Sequence, residues 1–278
     1  MQKSKTSRLD LPGFHKLVVG RDGIFLANQN DIYVGGALIK YGEFSQLEMA
    51  TFEKFLGLPD FIFVEVGANI GAHTVGLARK VKRLVAFEPQ PQVFYNLCAN
   101  VALNSLQNVD CYMVGIGARE DVMYLPKVDH NLANNFGGVS LLKDKHEIEI
   151  PVRTLDSYHL APHFIKIDVE GMEKEVLLGA RETITRHKPV MYIENDRKDK
   201  SIELIEYLWS INYKLYWDMP NLFNPHNFFM NPENYAPDTV SVNMICLPDR
   251  LDHSTFDLPN LVTDPTEHPI HQKIGRMA

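Results

Sequence analysis

Apolar positions in the middle of this chain come in two rhythms. Short continuous runs rich in β-branched and aromatic residues alternate with longer stretches whose apolar positions recur at helical spacing. The runs predict strands over Phe61–Val66, Arg83–Phe87, Val109–Val114, His163–Asp168, Pro189–Glu194 and Lys214–Trp217, with a late strand over Ser241–Leu247. The stretches between them predict helices over Gly71–Lys80, Pro91–Asn104, Glu173–His187 and Lys200–Ser210. Pro91 suits the first turn of its helix. Strands alternating with helices demand right-handed crossovers and a parallel sheet, so the expected class is α/β.

The pattern differs at both ends and once inside. Met1 to about Leu11 is expected to be a disordered lead. Lys16–Lys40 reads as short strands, with turns at Arg21-Asp22-Gly23, Asn28–Asp31 and Gly35-Gly36. Ser45-Gln46-Leu47-Glu48 has the form of a capping box, with Phe44 and Met49 as its hydrophobic staple, opening a helix that runs to about Leu56. Between Asp121 and Arg153 the alternation breaks into short strands, Asp121–Leu125, Val139–Leu142 and Glu147–Val152, around a polar loop. Asp218–Asp238, rich in Asn, Pro and aromatic residues, reads as a long loop near the site. The expected division is an N-terminal β/α extension over 1–58, an α/β domain over 59–248 with an insertion at 121–153 and a loop at 218–238, and an irregular tail over 249–278.

Composition narrows the function classes. Of 278 residues 45% are hydrophobic, enough to bury a full core. A formal charge of −7 provides no global basic field, so nucleic acid is not the expected partner. The three cysteines, Cys98, Cys111 and Cys246, form no CxxC pair and no zinc spacing. They read as core residues of a reducing compartment. The basic start MQKSKTSR is not followed by an apolar h-region, and no stretch reaches the ~18 apolar residues of a membrane span. A cytoplasmic location is expected.

The candidate chemistry begins at FIFVEVGANIGAHT, residues 61–74. A buried strand ends in an acid, turns on glycine and enters a helix, whose free N–H groups and dipole favour an anionic ligand group. Gly67 makes the sharp exit. Asn69 stands where many nucleotide folds have a second glycine, and tolerates a left-handed backbone. Gly71 allows close approach, and His73 and Thr74 occupy the first helical turn. Glu65 would lie under the ligand, suited to a cation and unsuited to pyrophosphate. Glu88 ends the next strand, at about the 20-residue spacing of a ribose-binding carboxylate. Gly67, Asn69 and Ala72 only half-match the dinucleotide fingerprint GxGxxG/A.

The blocks VEVGANIGAHT, VAFEPQPQVFYNLCANVALN and IKIDVEGMEKEVLLGA resemble the FkbM family of S-adenosylmethionine-dependent methyltransferases, over roughly Gly23 to Trp217. The resemblance implies a Rossmann-like, seven-stranded, mostly parallel sheet with an antiparallel last strand, and methyl transfer to oxygen, often a hydroxyl of a sugar, polyketide or other secondary metabolite. Carried over by position, Glu65, Gly67, Asn69 and Gly71, with His73 and Thr74, would hold the methionine end of S-adenosylmethionine. Glu88 would bind its ribose, and Gly115 and Ile116 would lie near the adenine.

An acceptor hydroxyl needs a proton acceptor or a metal to become nucleophilic. Asp168 ends a strand in Asp168-Val169-Glu170-Gly171-Met172-Glu173, where three acids could form a base or hold a divalent cation. Glu194 ends the neighbouring strand. Asp168, Glu194 and Glu170 are the catalytic candidates, with metal dependence open. Lys166 reads as an ion-pair partner of Asp168. Asn134, Asn135 and Ser140 in NLANNFGGVS, and His226 in the aromatic loop, are the substrate candidates. The expected acceptor is a small molecule or glycan. A nicotinamide-dependent oxidoreductase and a catalytically silent nucleoside-binding module are the alternatives.

Overall fold

The computed structural model describes residues 11–237, 239–258 and 260–270. The expected disordered lead lies outside these residues except for Leu11. A hairpin of β1 (His15–Val19) and β2 (Ile24–Asn28) leads to α1 (Val34–Tyr41) and α2 (Gln46–Glu53). Then come β3 (Ile62–Val66), α3 (Ala72–Ala78), β4 (Arg83–Phe87), α4 (Pro91–Leu103) and β5 (Val109–Tyr112). Three strands of a small second sheet follow: β6 (Gly115–Ile116), β7 (Asp121–Leu125) and β8 (Ile148–Arg153). The alternation resumes with β9 (Phe164–Ile167), α5 (Glu173–Leu178), α6 (Arg181–His187), β10 (Val190–Glu194), α7 (Lys198–Ser210), β11 (Tyr213–Asp218) and β12 (Asn243–Pro248).

Seven strands form one sheet in the order β11-β12-β10-β9-β3-β4-β5. The β9, β10, β3, β4 and β5 pairings are parallel, while β12 runs antiparallel to both β10 and β11. This is the expected α/β class with an antiparallel last strand. The central strands read as continuous apolar runs because both faces are covered. On one face Val64, Ile165 and Ile193 pack on Val176, Ile184 and Leu204 from α5, α6 and α7. On the other, Phe63, Phe164 and Tyr192 pack on Met49, Phe52, Leu77 and Leu97 from α2, α3 and α4. The N-terminal hairpin and α1 join that second layer through Phe25, Leu38, Ile70 and Val75.

Several local expectations are corrected. The segment read as strands up to Lys40 contains α1. Its Gly35-Gly36 is not a turn: a Cβ on Gly35 would sit 2.3 Å from the Asn28 carbonyl oxygen, so glycine is there for close approach. Asp31 starts that helix by accepting from the Tyr33 and Gly35 N–H groups at 3.1 and 2.9 Å. The capping box does not form. Ser45 takes the N-cap position of α2 with φ 44°, and its side chain makes no cap hydrogen bond. Glu48 is drawn into the interior instead. The helix expected over Glu173–His187 breaks in two at Gly179, where a Cβ would meet the Gly117 carbonyl oxygen at 1.9 Å. The strand expected to reach Val114 ends at Tyr112, and the chain enters the second sheet at Gly115. Val139–Leu142 contributes a single bridge, Tyr124 to Leu142.

Candidate active site

The order of strands reverses between β3 and β9, and ligands of open α/β sheets bind at the carboxyl ends beside such a switch point. There a cavity of about 370 Å³ opens, with an adjoining pocket of about 50 Å³. The antiparallel run of β12 brings its first residue, Asn243, to the same end, paired with Glu194 and Asp218.

The loop after β3 has the backbone that its residue types allow. Gly67, Asn69 and Gly71 have φ of 84°, 52° and 82°. The N–H groups of Gly67 and Ala68 donate to the Phe87 carbonyl at 2.9 and 3.0 Å, fastening the turn to β4. A Cβ on Gly67 would lie 1.8 Å from the Asp168 carbonyl oxygen, so this glycine also lets the chain leave β9 close by. Glu88 accepts from the Asn69 N–H and the Gln90 N–H, both at 2.9 Å, which ties the two strand-end acids' loops together.

Below the cavity lies a buried polar layer. Glu65 and Lys166 are direct partners across β3 and β9. Glu65 accepts from the Thr74 hydroxyl at 2.6 Å, and Lys166 Nζ donates to Asp168 Oδ2 at 2.8 Å. His73 Nδ1 is 3.8 Å from Glu65, and its Nε2 is 3.5 Å from Glu48. Glu48 accepts from Asn243 Nδ2 at 3.1 Å. Burial pushes the carboxyls of Glu48, Glu65 and Glu88 up to about 7, against the pull of Lys166 at Glu48 and Glu65 and of the Gln90 and Asn69 N–H groups at Glu88. Burial pushes the His73 imidazole down to about 3, so it is neutral. For Asp168 burial works upward, but the Lys166 ammonium outweighs it and holds the carboxyl below its ordinary value. Burial, then the Asp168 charge beside it, drives Glu194 well above the carboxylate range.

The turn after β9 is tightly built. Glu170 and Gly171 have φ of 57° and 96°. Glu173 accepts from the Gly171 N–H at 2.9 Å and serves this turn rather than the cavity. Glu170 pairs with Arg197 at 2.5 Å. One carboxylate oxygen from each of Asp168, Glu170 and Glu194 can be chosen so that all lie within 4.8 Å of one another.

The cavity gathers Glu65, Gly67, Asn69, His73, Glu88, Asn135, Asp168, Glu170 and Glu194. Gly115 and Ile116 line the adjoining pocket, together with Gly67 and Glu88. Gly71 and Thr74 stand behind the lining, against Leu97 and Glu65. Three substrate candidates are placed elsewhere. His226 is exposed in its loop, where its carbonyl accepts from Arg21 at 3.0 Å. Asn134 is exposed, its backbone bound to the β2–α1 turn at Asn30 and Ile32. Ser140 donates to the Glu170 carbonyl at 3.0 Å, outside the lining. The lining also includes residues that sequence patterning did not single out: Tyr33, Glu48, Arg197, Ser241 and Asn243. Glu48 carried a signal, but its spacing pointed to a helix cap. The others arrive from distant elements and leave no local trace.

A doubly wound sheet with a glycine–asparagine turn and two strand-end acids at its switch point is a Rossmann-like fold. The family described as the methyltransferase FkbM domain matches residues 65–215, more than half of the chain, and the chain belongs to that family. No curated protein matches it. Among solved structures it is similar to the methyltransferase FkbM of Methylobacillus flagellatus KT, at 23% identity and a TM-score of 0.47, over 68% of this chain and 44% of that one. The chain therefore spans less than half the length of that relative. It is also similar to precorrin-6y C5,15-methyltransferase of Geobacter metallireducens GS-15, at 13% identity and a TM-score of 0.45, over 72% and 86% of the two chains. A third is M. jannaschii TYW2 in complex with AdoMet, at 15% identity and a TM-score of 0.42, over 86% and 87%.

Proposed function

We propose that this protein moves a methyl group from S-adenosylmethionine to a hydroxyl oxygen of a small metabolite or glycan. The observation that carries the reading is the charge of the cavity. Glu48, Glu65, Glu88, Asp168, Glu170, Glu194 and Asp196 face Lys166 and Arg197. A surplus of buried acid suits a ligand with a sulfonium and an ammonium, and opposes the pyrophosphate of a nicotinamide dinucleotide.

In this reading the turn of Gly67, Asn69 and Gly71, with Glu65, His73 and Thr74, holds the methionine end. Each Glu88 oxygen accepts one backbone N–H and keeps a lone pair for a ribose hydroxyl. Gly115 and Ile116 flank the adenine. The acceptor enters beside Asn135 and the start of β12. Nucleic acid is not the proposed partner, given the net charge of −7. Among the described residues no helix is long and apolar enough to cross a membrane, and the cysteines are free. Cytoplasmic action is proposed on that thiol chemistry.

The step is an in-line displacement. The acceptor oxygen attacks the methyl carbon, the carbon–sulfur bond breaks, and its electron pair stays on sulfur as S-adenosylhomocysteine forms. The hydroxyl proton leaves to the Asp168 carboxylate, assisted by Glu194, with Glu170 completing the corner. Positioning, rather than redox chemistry, supplies the catalysis.

Calorimetry on the full chain with S-adenosylhomocysteine tests the donor, and mass spectrometry of a hydroxyl-bearing panel with S-adenosylmethionine tests transfer. Asp168→Asn is expected to bind S-adenosylhomocysteine near normally and to turn over at least about 100-fold more slowly, the usual worth of a positioned proton acceptor. Full turnover in that variant would remove Asp168 from the chemistry. Binding without any methylated product would leave a nucleoside-binding module.

A further inference from the structure

The corner formed by Asp168, Glu170 and Glu194 contains an imbalance that the methyl donor does not address. Glu194 Oε2 is shut off from solvent and has no hydrogen-bond partner among the described residues. A carboxylate oxygen in that position needs compensation. The basic groups nearby are already engaged. Lys166 donates to Asp168, and Arg197 pairs with Glu170 and Asp196. Asn195, next in sequence, directs its amide to Ser201 and Met244 and does not reach Glu194. With every group ionised, four acids would face two bases here, and a cation is the alternative to keeping a proton on Glu194.

We infer that Asp168, Glu170 and Glu194 bind a divalent cation. Their oxygens lie within 4.8 Å of one another, and an ion ~2.1 Å from each spans up to about 4.2 Å, so binding needs the carboxylates to close in by at most about 0.6 Å. The donor set is all carboxylate, with no thiol or imidazole, which selects a hard ion such as Mg²⁺ or Mn²⁺ over zinc or copper. All three residues line the cavity, so the coordination positions they leave are open to water or to an acceptor oxygen. Mg²⁺ characteristically takes few protein carboxylates and completes its shell from water and substrate.

The role of the ion rests on the methyltransferase reading, whereas its binding does not. A cation there lowers the pKa of a bound hydroxyl, so the alkoxide forms beside the donor. One oxygen of each carboxylate would hold the ion. Lys166 then keeps Asp168 ionised and oriented, as a positioning residue.

The test uses the full chain, stripped with EDTA and titrated with MnCl₂. Free Mn²⁺ is read by electron paramagnetic resonance, with S-adenosylhomocysteine affinity measured by calorimetry on the same sample. One Mn²⁺ site per chain, displaced by Mg²⁺, is expected. Glu194→Gln and Glu170→Gln should each weaken Mn²⁺ binding by at least about tenfold, since ligand charge sets affinity. Unchanged S-adenosylhomocysteine affinity in either variant would show that it is folded. No Mn²⁺ bound at millimolar concentration, or equal binding in parent and variants, would overturn the inference even with the cofactor site intact. Mn²⁺ binding that is lost in the variants, in a protein indifferent to S-adenosylhomocysteine, would uphold the ion and sink the methyl donor instead.

Discussion

Gly67 shows how one residue serves two requirements. Its φ of 84° favours glycine, and its missing side chain leaves room for the Asp168 carbonyl. Gly67→Ala would force apart the ends of β3 and β9. The backbone conformation alone costs about 1–3 kcal/mol, and the 1.8 Å approach adds to it. A marked fall in melting temperature, with loss of S-adenosylhomocysteine binding, is expected by scanning fluorimetry and calorimetry. Glu88 is a second case. It organises the Asn69 and Gln90 turns in the free protein and is proposed to meet the ribose. Glu88→Ala should weaken S-adenosylhomocysteine by about 1–3 kcal/mol, the range for hydrogen bonds to a charged group. Calorimetry returning the parent affinity would refute the ribose assignment.

At the scale of elements, the N-terminal helices and the long loop wall the cavity with Val34, Glu48 and Leu222. Asp31 supplies the cap of α1 from outside the helix, through the Tyr33 and Gly35 N–H groups. Asp31→Ala should cost about 0.5–2 kcal/mol in urea denaturation, the typical worth of a helix cap. Glu43 fastens the loop after β11 to this layer. It accepts from Arg21 at 2.7 Å, Asn224 at 2.7 Å and the Phe228 N–H at 2.8 Å. Glu43→Ala should speed hydrogen exchange across 221–231 while leaving the central strands protected. Equal protection there would show that the loop is held by its aromatic contacts alone. The Glu43 tether joins stretches 181 and 185 residues apart in sequence, whereas the Asp31 cap is local.

For the whole molecule, the buried acids predict a pH dependence. Glu48, Glu65 and Glu88 have carboxyls raised from 4.5 to about 7, so the folded state binds more protons than the unfolded state between those values. Their contribution to stability therefore falls as pH rises through that window. Asp168, held low, works the other way, and its contribution is lost only in acid, as pH falls below the ordinary aspartate value of 3.8. A cationic ligand favours the ionised acids. Affinity for S-adenosylmethionine should thus gain on that for S-adenosylhomocysteine as pH rises from below to above about 7, because only the former carries the sulfonium. A constant ratio in calorimetry on the two sides of that value would remove the charge argument for the donor.

Legibility followed the range of the interactions. The parallel strands and their helices were readable because burial on both faces forces continuous apolar runs, and helical spacing forces the rest. The glycine–asparagine turn was readable because only those residues accept its backbone. The antiparallel β12 was legible as a strand, but its direction followed from the family resemblance and not from its own residues. The break at Gly179 depends on the distant Gly117 backbone and the failed cap at Ser45 on Glu48 being held by Asn243, so neither was legible, while the helix over Val34–Tyr41 was masked by a glycine pair that serves close approach to Asn28. Sequence alone determined the α/β alternation, the strand-end acids and the turn between them, because local sterics and burial leave few options there. The Lys166–Asp168 pair was legible too, from two positions on one side of a strand, but tertiary structure alone decided that Glu48, His73 and Asn243 meet beneath the cavity and that Glu194 Oε2 stands without a partner among the described residues. Those outcomes depend on which side chains share a dry space, and a linear pattern does not encode that neighbourhood.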